Sequence, residues 1–148
     1  MKTIKLRDAT VLGAFNRPYI VAEINTSHYG SMEMAKKMIK KAQEAGCDCV
    51  KFQSWSAETL YSKTYYDENP IAKRMFNKFA FSEAELAEAA EYSKKCGIAF
   101  SSTPYSRAEV DFLLEKCNAP YIKVSSMDLN NYPFLDYIAR KRIVIQIH

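Results

Sequence analysis

No uninterrupted apolar stretch in this 148-residue chain approaches the roughly 20 residues that a membrane-spanning helix needs. The opening run Met1-Lys2-Thr3-Ile4-Lys5-Leu6-Arg7 lacks the apolar core and small-residue cleavage site of a secretory leader, so a cytoplasmic location and no membrane partner are expected. There is no long basic run either. Arg140-Lys141-Arg142 is the longest basic cluster, and elsewhere the Lys and Arg behind the formal charge of +4 are mostly interleaved with Asp and Glu. That pattern disfavours nucleic acid as a partner, and the cluster reads as a solvated helix end leading into a strand rather than a phosphate or RNA patch. The four cysteines, at 47, 49, 96 and 117, lack zinc-ribbon spacing. Three of them fall in apolar helix-like or strand-like patterns where a reduced thiol acts as a small hydrophobe, so structural roles are expected in preference to metal or disulfide chemistry. What remains, 48% hydrophobic and 26% charged, is the balance of one globular domain with a sizeable core.

Helix starts are legible. Ser82-Glu83-Ala84-Glu85 and Ser106-Arg107-Ala108-Glu109 each place Ser at the N-cap and Glu three residues on, the capping-box arrangement. The first predicts a helix through Leu86, Ala89, Ala90 and Ser93 to a Gly97 stop; the second puts Val110, Leu113, Leu114 and Cys117 on one face. An earlier helix is predicted from Met32 to Ala45, with Met34, Met38, Ile39, Ala42 and Ala45 at helical spacing and Gly46 after it. A fourth is predicted from near Pro133, with Leu135, Ile138 and Ala139.

Between these lie short apolar runs, Tyr19 to Ile24, Cys49 to Phe52, Ile98 to Phe100, Tyr121 to Val124 and Ile143 to Ile147, of the kind that form buried parallel strands. The order is β-α-β-α-β-α-β-α-β, with an N-terminal hairpin predicted from Thr3 to Leu12. Alternation of this kind fits an α/β barrel or an open doubly wound sheet, and periodicity does not separate the two; a closed barrel needs eight units in roughly 250 residues.

In both architectures ligands sit where strands run into the following loops. Here the strands end in Glu23, in Lys51 with Gln53, in Ser102 with Thr103, in Lys123 with Ser125 and Ser126, and in Gln146 with His148. Two lysines, a carboxylate and several hydroxyls at one mouth would bind an anion beside an acid or base. Lys51 and Lys123 could instead lie outside with their ammonium groups snorkelling to solvent. A shared phosphate or carboxylate explains better why both occupy equivalent positions in apolar runs. Glu23, inside Ile20-Val21-Ala22-Glu23-Ile24, needs a partner or a water-lined cavity to stay ionised. His28, in the loop from Asn25 to Gly30, is left without a role. The stretch from Ser54 to Phe81, with Trp55, Tyr61, Tyr65, Tyr66 and Phe76, is far longer than the usual βα loop. It reads equally as a substrate-covering lid and as aromatic packing around a short helix near Ile71 to Phe79.

Taken in order, Ile20-Val21-Ala22-Glu23-Ile24 with His28 and Gly30, then Ala45-Gly46-Cys47-Asp48-Cys49-Val50-Lys51-Phe52-Gln53, resemble the opening of N-acetylneuraminate (sialic acid) synthases. The resemblance continues through Ser102-Thr103-Pro104-Tyr105 with Val110 to Leu113, and through Tyr121-Ile122-Lys123-Val124-Ser125-Ser126 with Asn130-Asn131-Tyr132-Pro133. It spans roughly Arg17 to Lys141. It implies a partial TIM (β/α)₈ barrel, about five parallel strands alternating with four helices after the hairpin. It also implies condensation of phosphoenolpyruvate with an N-acylmannosamine-like sugar to give a nonulosonic acid and phosphate. The positions matching the family's phosphoenolpyruvate residues are Lys51, Thr103, Lys123 and Ser126; Gln53 matches a residue near the sugar. Glu23 matches a glutamate proposed to act in the chemistry, and Asp128 stands one methylene short of a second acidic position that is generally Glu. The implied cofactor is a divalent metal, Mn or Mg, whose histidine ligands belong to later strands beyond His148.

Residues 1–148 therefore read as a single, apparently truncated synthase barrel domain without the C-terminal half-barrel or the antifreeze-like domain that usually follows. The fifth run, Ile143-Val144-Ile145-Gln146-Ile147-His148, departs from the family's usual Pro-Val-Ile-Leu-Ser-Thr-Gly. A truncated or disrupted reading frame would account for both departures, and His148 is not read as a metal ligand. Little or no synthase activity is expected from this chain alone, and exposed apolar side chains would favour homo-oligomers. The competing readings are another phosphoenolpyruvate-condensing barrel, such as an octulosonate-phosphate synthase, and a non-catalytic remnant that keeps only the anion cradle.

Overall fold

The structure, a computed structural model, describes residues 3–147, so His148 lies outside the described residues. Strands β1 (Thr3–Lys5) and β2 (Val11–Gly13) pair antiparallel as the expected hairpin. Then come β3 (Val21–Asn25), α1 (Met32–Glu44), β4 (Cys49–Ser54), α2 (Ala57–Leu60), α3 (Lys63–Glu68), α4 (Pro70–Phe79) and α5 (Glu83–Cys96). They are followed by β5 (Ala99–Pro104), α6 (Arg107–Glu115), β6 (Ile122–Lys123), α7 (Tyr132–Arg140) and β7 (Ile145–Gln146). Strands β3, β4 and β5 hydrogen-bond in parallel in that order, and β6 and β7 form a second parallel pair. Ser101 links the two groups, its hydroxyl donating to the Tyr121 carbonyl at 3.1 Å.

Both capping boxes form, and Gly97 ends α5 in the left-handed conformation. Three helices occupy the long 54–81 stretch, where the sequence predicts at most one short helix, so four helices become seven. The reason is local. α2 and α3 have four and six residues, too few to show a helical repeat, and are marked only by the cap residues Ser56 and Ser62. α4 is the predicted short helix, opened by Pro70 in its first turn.

The curved sheet has two chemically different faces. On the outer face Ala22, Ile24, Val50, Phe52, Phe100, Ile122 and Val124 meet helix residues such as Ala35, Ile39, Ala89, Leu113 and Ile138. On the inner face Val21, Cys49, Ala99, Tyr121 and Val144 gather around Leu6 and Leu12 of the hairpin, together with Tyr19. The hairpin thus plugs the end where the strands begin. Strand alternation then carries the next inner-face positions, two residues on, to Glu23, Lys51, Ser101, Lys123 and Gln146 at the end where the strands finish. Ile20 before β3 and Ile147 after β7 are exposed, so the outermost strands carry uncovered apolar side chains.

His28 faces the outer layer. Its ring stacks on Phe81 at 3.9 Å between centroids, and its Nδ1 accepts from the Gly30 amide at 3.1 Å. Burial holds its pKa below the ordinary value. At Gly30, where φ is +76°, a Cβ would stand 2.2 Å from the Lys78 carbonyl oxygen, whereas at Gly97, φ +74°, it would meet open space. Gly97→Ala is therefore expected to cost about 1 kcal/mol, the left-handed backbone penalty alone. Gly30→Ala is expected to cost about 3 kcal/mol, because backbone must also move. Urea denaturation of the two variants checks the order; equal losses would remove the close approach of α4 to the β3 loop.

Candidate functional site

Lys51 is the inner-face residue in the middle of β4 and is only 3% exposed. A buried ammonium has to be compensated. Its Nζ lies 2.9 Å from Oε2 of Glu23, the neighbouring position on β3, and donates to Oε1 of Gln146 on β7 at 3.4 Å. Two strands separate β4 from β7, about 14 Å in a flat sheet with side chains perpendicular to it. The contact requires the sheet to curl into a barrel-like wall. The Glu23 side chain is about half exposed (51%), so the carboxylate that holds Lys51 also opens to solvent at the mouth.

Lys123 completes the electrostatics. Burial lowers its pKa first and the Lys51 charge lowers it further, while Glu23 works in the opposite direction. Two ammonium groups thus share one carboxylate, and the field at the mouth favours an anion. Thr103, buried at the end of β5, sits opposite Gln53 in the β4–β5 register, which sets both on the inner face beside Lys51 and Ser101.

Ser126 and Asp128 are placed differently. They lie past β6 on a single 3₁₀ turn, Ser126–Asp128, with Ser126 exposed. Among the described residues no hydrogen bond or ion pair joins either of them to the lysines. Asp128 accepts from Asn131 Nδ2 at 3.1 Å through Oδ1, while its Oδ2 is buried without a partner. The Asp128 charge also reaches Tyr105, whose hydroxyl pKa is raised chiefly by burial. A buried carboxylate oxygen without a donor is a position that a ligand hydroxyl or amide can fill.

Other groups are chemically quiet. Burial pushes the Cys49 thiol up to about 12 and the Cys117 thiol likewise to about 12, which leaves both protonated and unreactive. The described cysteines are all free. Among the described residues no three His, Cys, Asp or Glu side chains come together as a metal-binding group, and no helix is long and apolar enough to cross a membrane. A concavity of about 350 Å³ lies at the opposite end of the sheet, lined by Asp8, Glu91, Lys94 and Lys116 among others, and contains none of the strand-end residues.

Residues 38–147 match the NeuB family. The chain is 37% identical over 142 residues to the uncharacterized protein MJ1065 of Methanocaldococcus jannaschii, covering 95% of this chain and 40% of that protein. It is 34% identical over 131 residues to human N-acetylneuraminate-9-phosphate synthase, covering 83% of this chain and 36% of the human enzyme. Among solved structures, the N-acetylneuraminic acid synthetase of Leptospira borgpetersenii, in complex with citrate, superposes with a TM-score of 0.86 at 26% identity, over 99% of this chain and 49% of that one. The chain thus spans about 40% of the curated relatives' length.

The depressed pKa of Lys123 has two consequences of opposite sign. The cationic form attracts anions, so anion affinity should fall as pH rises, and at lower pH than an ordinary lysine would impose. The unfolded chain holds the lysine proton more tightly than the folded one, so this group's contribution to stability rises with pH across that alkaline window. Lys123→Met is expected to melt above the parent at neutral pH and to lose that alkaline rise. Thermal melts of both proteins from neutral to alkaline pH check it; a variant that melts lower at every pH would show that Lys123 is a structural cation.

Proposed function

Because the chain belongs to the NeuB family, we propose that it carries the phosphoenolpyruvate side of a nonulosonic-acid synthase site. The observation that carries this reading is the Lys51–Glu23 ion pair at 2.9 Å on the inner face, with Lys123 on the same face near enough for both charges to act on its ammonium. Such a site takes up a compact, multiply charged anion whose own charge relieves the repulsion between the ammonium groups.

In the proposed arrangement Lys51 and Lys123 hold the phosphate and carboxylate of phosphoenolpyruvate. The Thr103 hydroxyl donates from the β5 end, and Ser126 does so from the 3₁₀ turn. Gln53, one inner-face step beyond Lys51, points toward an N-acylated amino sugar. The methylene carbon (C3) of phosphoenolpyruvate attacks the aldehyde carbon of the open-chain sugar, the π pair of its C=C bond forming the new C–C bond while the aldehyde oxygen takes up a proton. Water then adds to C2, the carbon that bears the phosphate ester, losing its protons to leave the new ketone, and phosphate leaves with the electrons of the C2–O bond. Glu23, paired with Lys51 at 2.9 Å and open to solvent, is placed to take up or return a proton during water addition. The resemblance also implies a divalent metal that would polarise the aldehyde. The described residues do not supply a donor set for it.

Removing charges of opposite sign separates a binding site from a scaffold. With phosphoenolpyruvate titrated calorimetrically into the 148-residue chain, Lys51→Met and Lys123→Met are each expected to weaken binding about tenfold or more. Glu23→Gln, which removes the competing anion, is expected to strengthen binding about twofold to fivefold. Binding by Lys51→Met as tight as the parent's would refute the cradle.

A further inference from the structure

Glu109 exceeds what a helix cap requires. As the third residue of α6 it needs only to accept from the Ser106 amide, which it does through Oε2 at 3.1 Å. The same oxygen accepts from the Tyr105 amide at 2.6 Å, and Oε1 accepts from the Thr59 hydroxyl at 2.9 Å. Thr59 is the corresponding residue of the capping box on α2, so two helix caps 50 residues apart are joined through one carboxylate. The Thr59 hydroxyl has one proton and several acceptors within reach, of which the charged Glu109 oxygen is the nearest.

These contacts converge on the ends of three strands. Pro104 has no amide hydrogen, so the Tyr105 amide gripped by Glu109 is the first main-chain donor after Thr103. The Tyr105 ring meets Trp55 edge-on at 6.2 Å, just past the end of β4, and its hydroxyl lies near enough to Ser125, which precedes Ser126 in the segment after β6, for that side chain to act on its pKa. Trp55 in turn meets Phe76 of α4 at 6.2 Å, within the ring cluster of Tyr61, Tyr65 and Tyr66. Burial raises the Glu109 pKa against the pull of these donors.

We infer that Glu109 is a positioning residue for the anion site: its two oxygens fasten the aromatic segment α2–α4 to the turn that follows Thr103 at the end of β5, so that segment and cradle are set by one group. This rests on the phosphoenolpyruvate reading of the site. Neither Glu109 nor Thr59 touches the ligand; they act through Tyr105 and the α2 cap.

The test uses the full chain with Thr59→Val, which removes the donor to Glu109 together with the α2 cap acceptor, Glu109→Ala, which removes the tether and leaves the α2 cap in place, and Thr59→Ser, which keeps the hydroxyl. By hydrogen–deuterium exchange, residues 57–68 are expected to exchange about fivefold faster in Thr59→Val and in Glu109→Ala and at the parental rate in Thr59→Ser, and faster exchange in Thr59→Val alone would assign the effect to the α2 cap and overturn the tether. Phosphoenolpyruvate affinity measured by calorimetry is expected to fall about threefold to fivefold in Thr59→Val and to be restored in Thr59→Ser. Parental exchange in Thr59→Val, or equally fast exchange in Thr59→Ser, would overturn the tether. Faster exchange with unchanged affinity would overturn the positioning role. A parent that binds no phosphoenolpyruvate would overturn the site reading and the positioning role with it, while the exchange result would still decide whether the tether exists.

Discussion

Lys51 is 3% exposed in the middle of β4, and a charge in that position constrains its surroundings. It requires a carboxylate within contact distance, which Glu23 supplies from the adjacent strand at 2.9 Å. It also requires polar groups on the side away from Glu23, and Gln146 reaches it from β7 only because the sheet curls. The curl in turn leaves an inner face too narrow for helices, so the inner apolar residues must be covered by something thin. The β1–β2 hairpin does this at the N-terminal end, where Leu6 and Leu12 seal Cys49 and Tyr121. The division of the inner face, apolar below and ionic above, follows from satisfying one buried cation at one end and burying aliphatic surface at the other.

Much of this is legible from residue order. The two Ser-x-x-Glu boxes, the glycine stops and the five apolar runs place the main helices and strands within a few residues, because each signal is local and self-contained. The short helices α2 and α3 escape because four or six residues cannot display a repeat of 3.6. Strand alternation puts Lys51, Gln53, Thr103, Lys123 and Glu23 at one edge of the sheet, and the structure brings Glu23, Lys51 and Lys123 into mutual electrostatic contact. Ser126 and Asp128 follow Lys123 on the 3₁₀ turn after β6, where among the described residues no hydrogen bond or ion pair joins them to the lysines; a turn of three residues has no signature in the sequence. The contact of Lys51 with Gln146 spans 95 positions and depends on sheet curvature, which no local pattern encodes. Glu109 is concealed for the opposite reason, since a capping box already accounts for a glutamate at that position and gives no cause to look for Thr59.

The electrostatics of the mouth distinguish a site held ready for a ligand from one whose charges are already neutralised. Had Glu23 been joined by a second carboxylate, each lysine would have its own counter-ion and the field would vanish. Instead the charges sum to one excess cation, and the cost is carried by Lys123, whose pKa is lowered by burial and by Lys51. In the proposed site an arriving phosphate would remove that cost, and part of its binding free energy would be the relief of repulsion present in the free protein. The same imbalance explains why Glu23 is left half exposed. A carboxylate sealed on all sides would be a permanent partner for Lys51, whereas one open to solvent loses less on release, so in the proposed site a stronger anion would displace part of its hold.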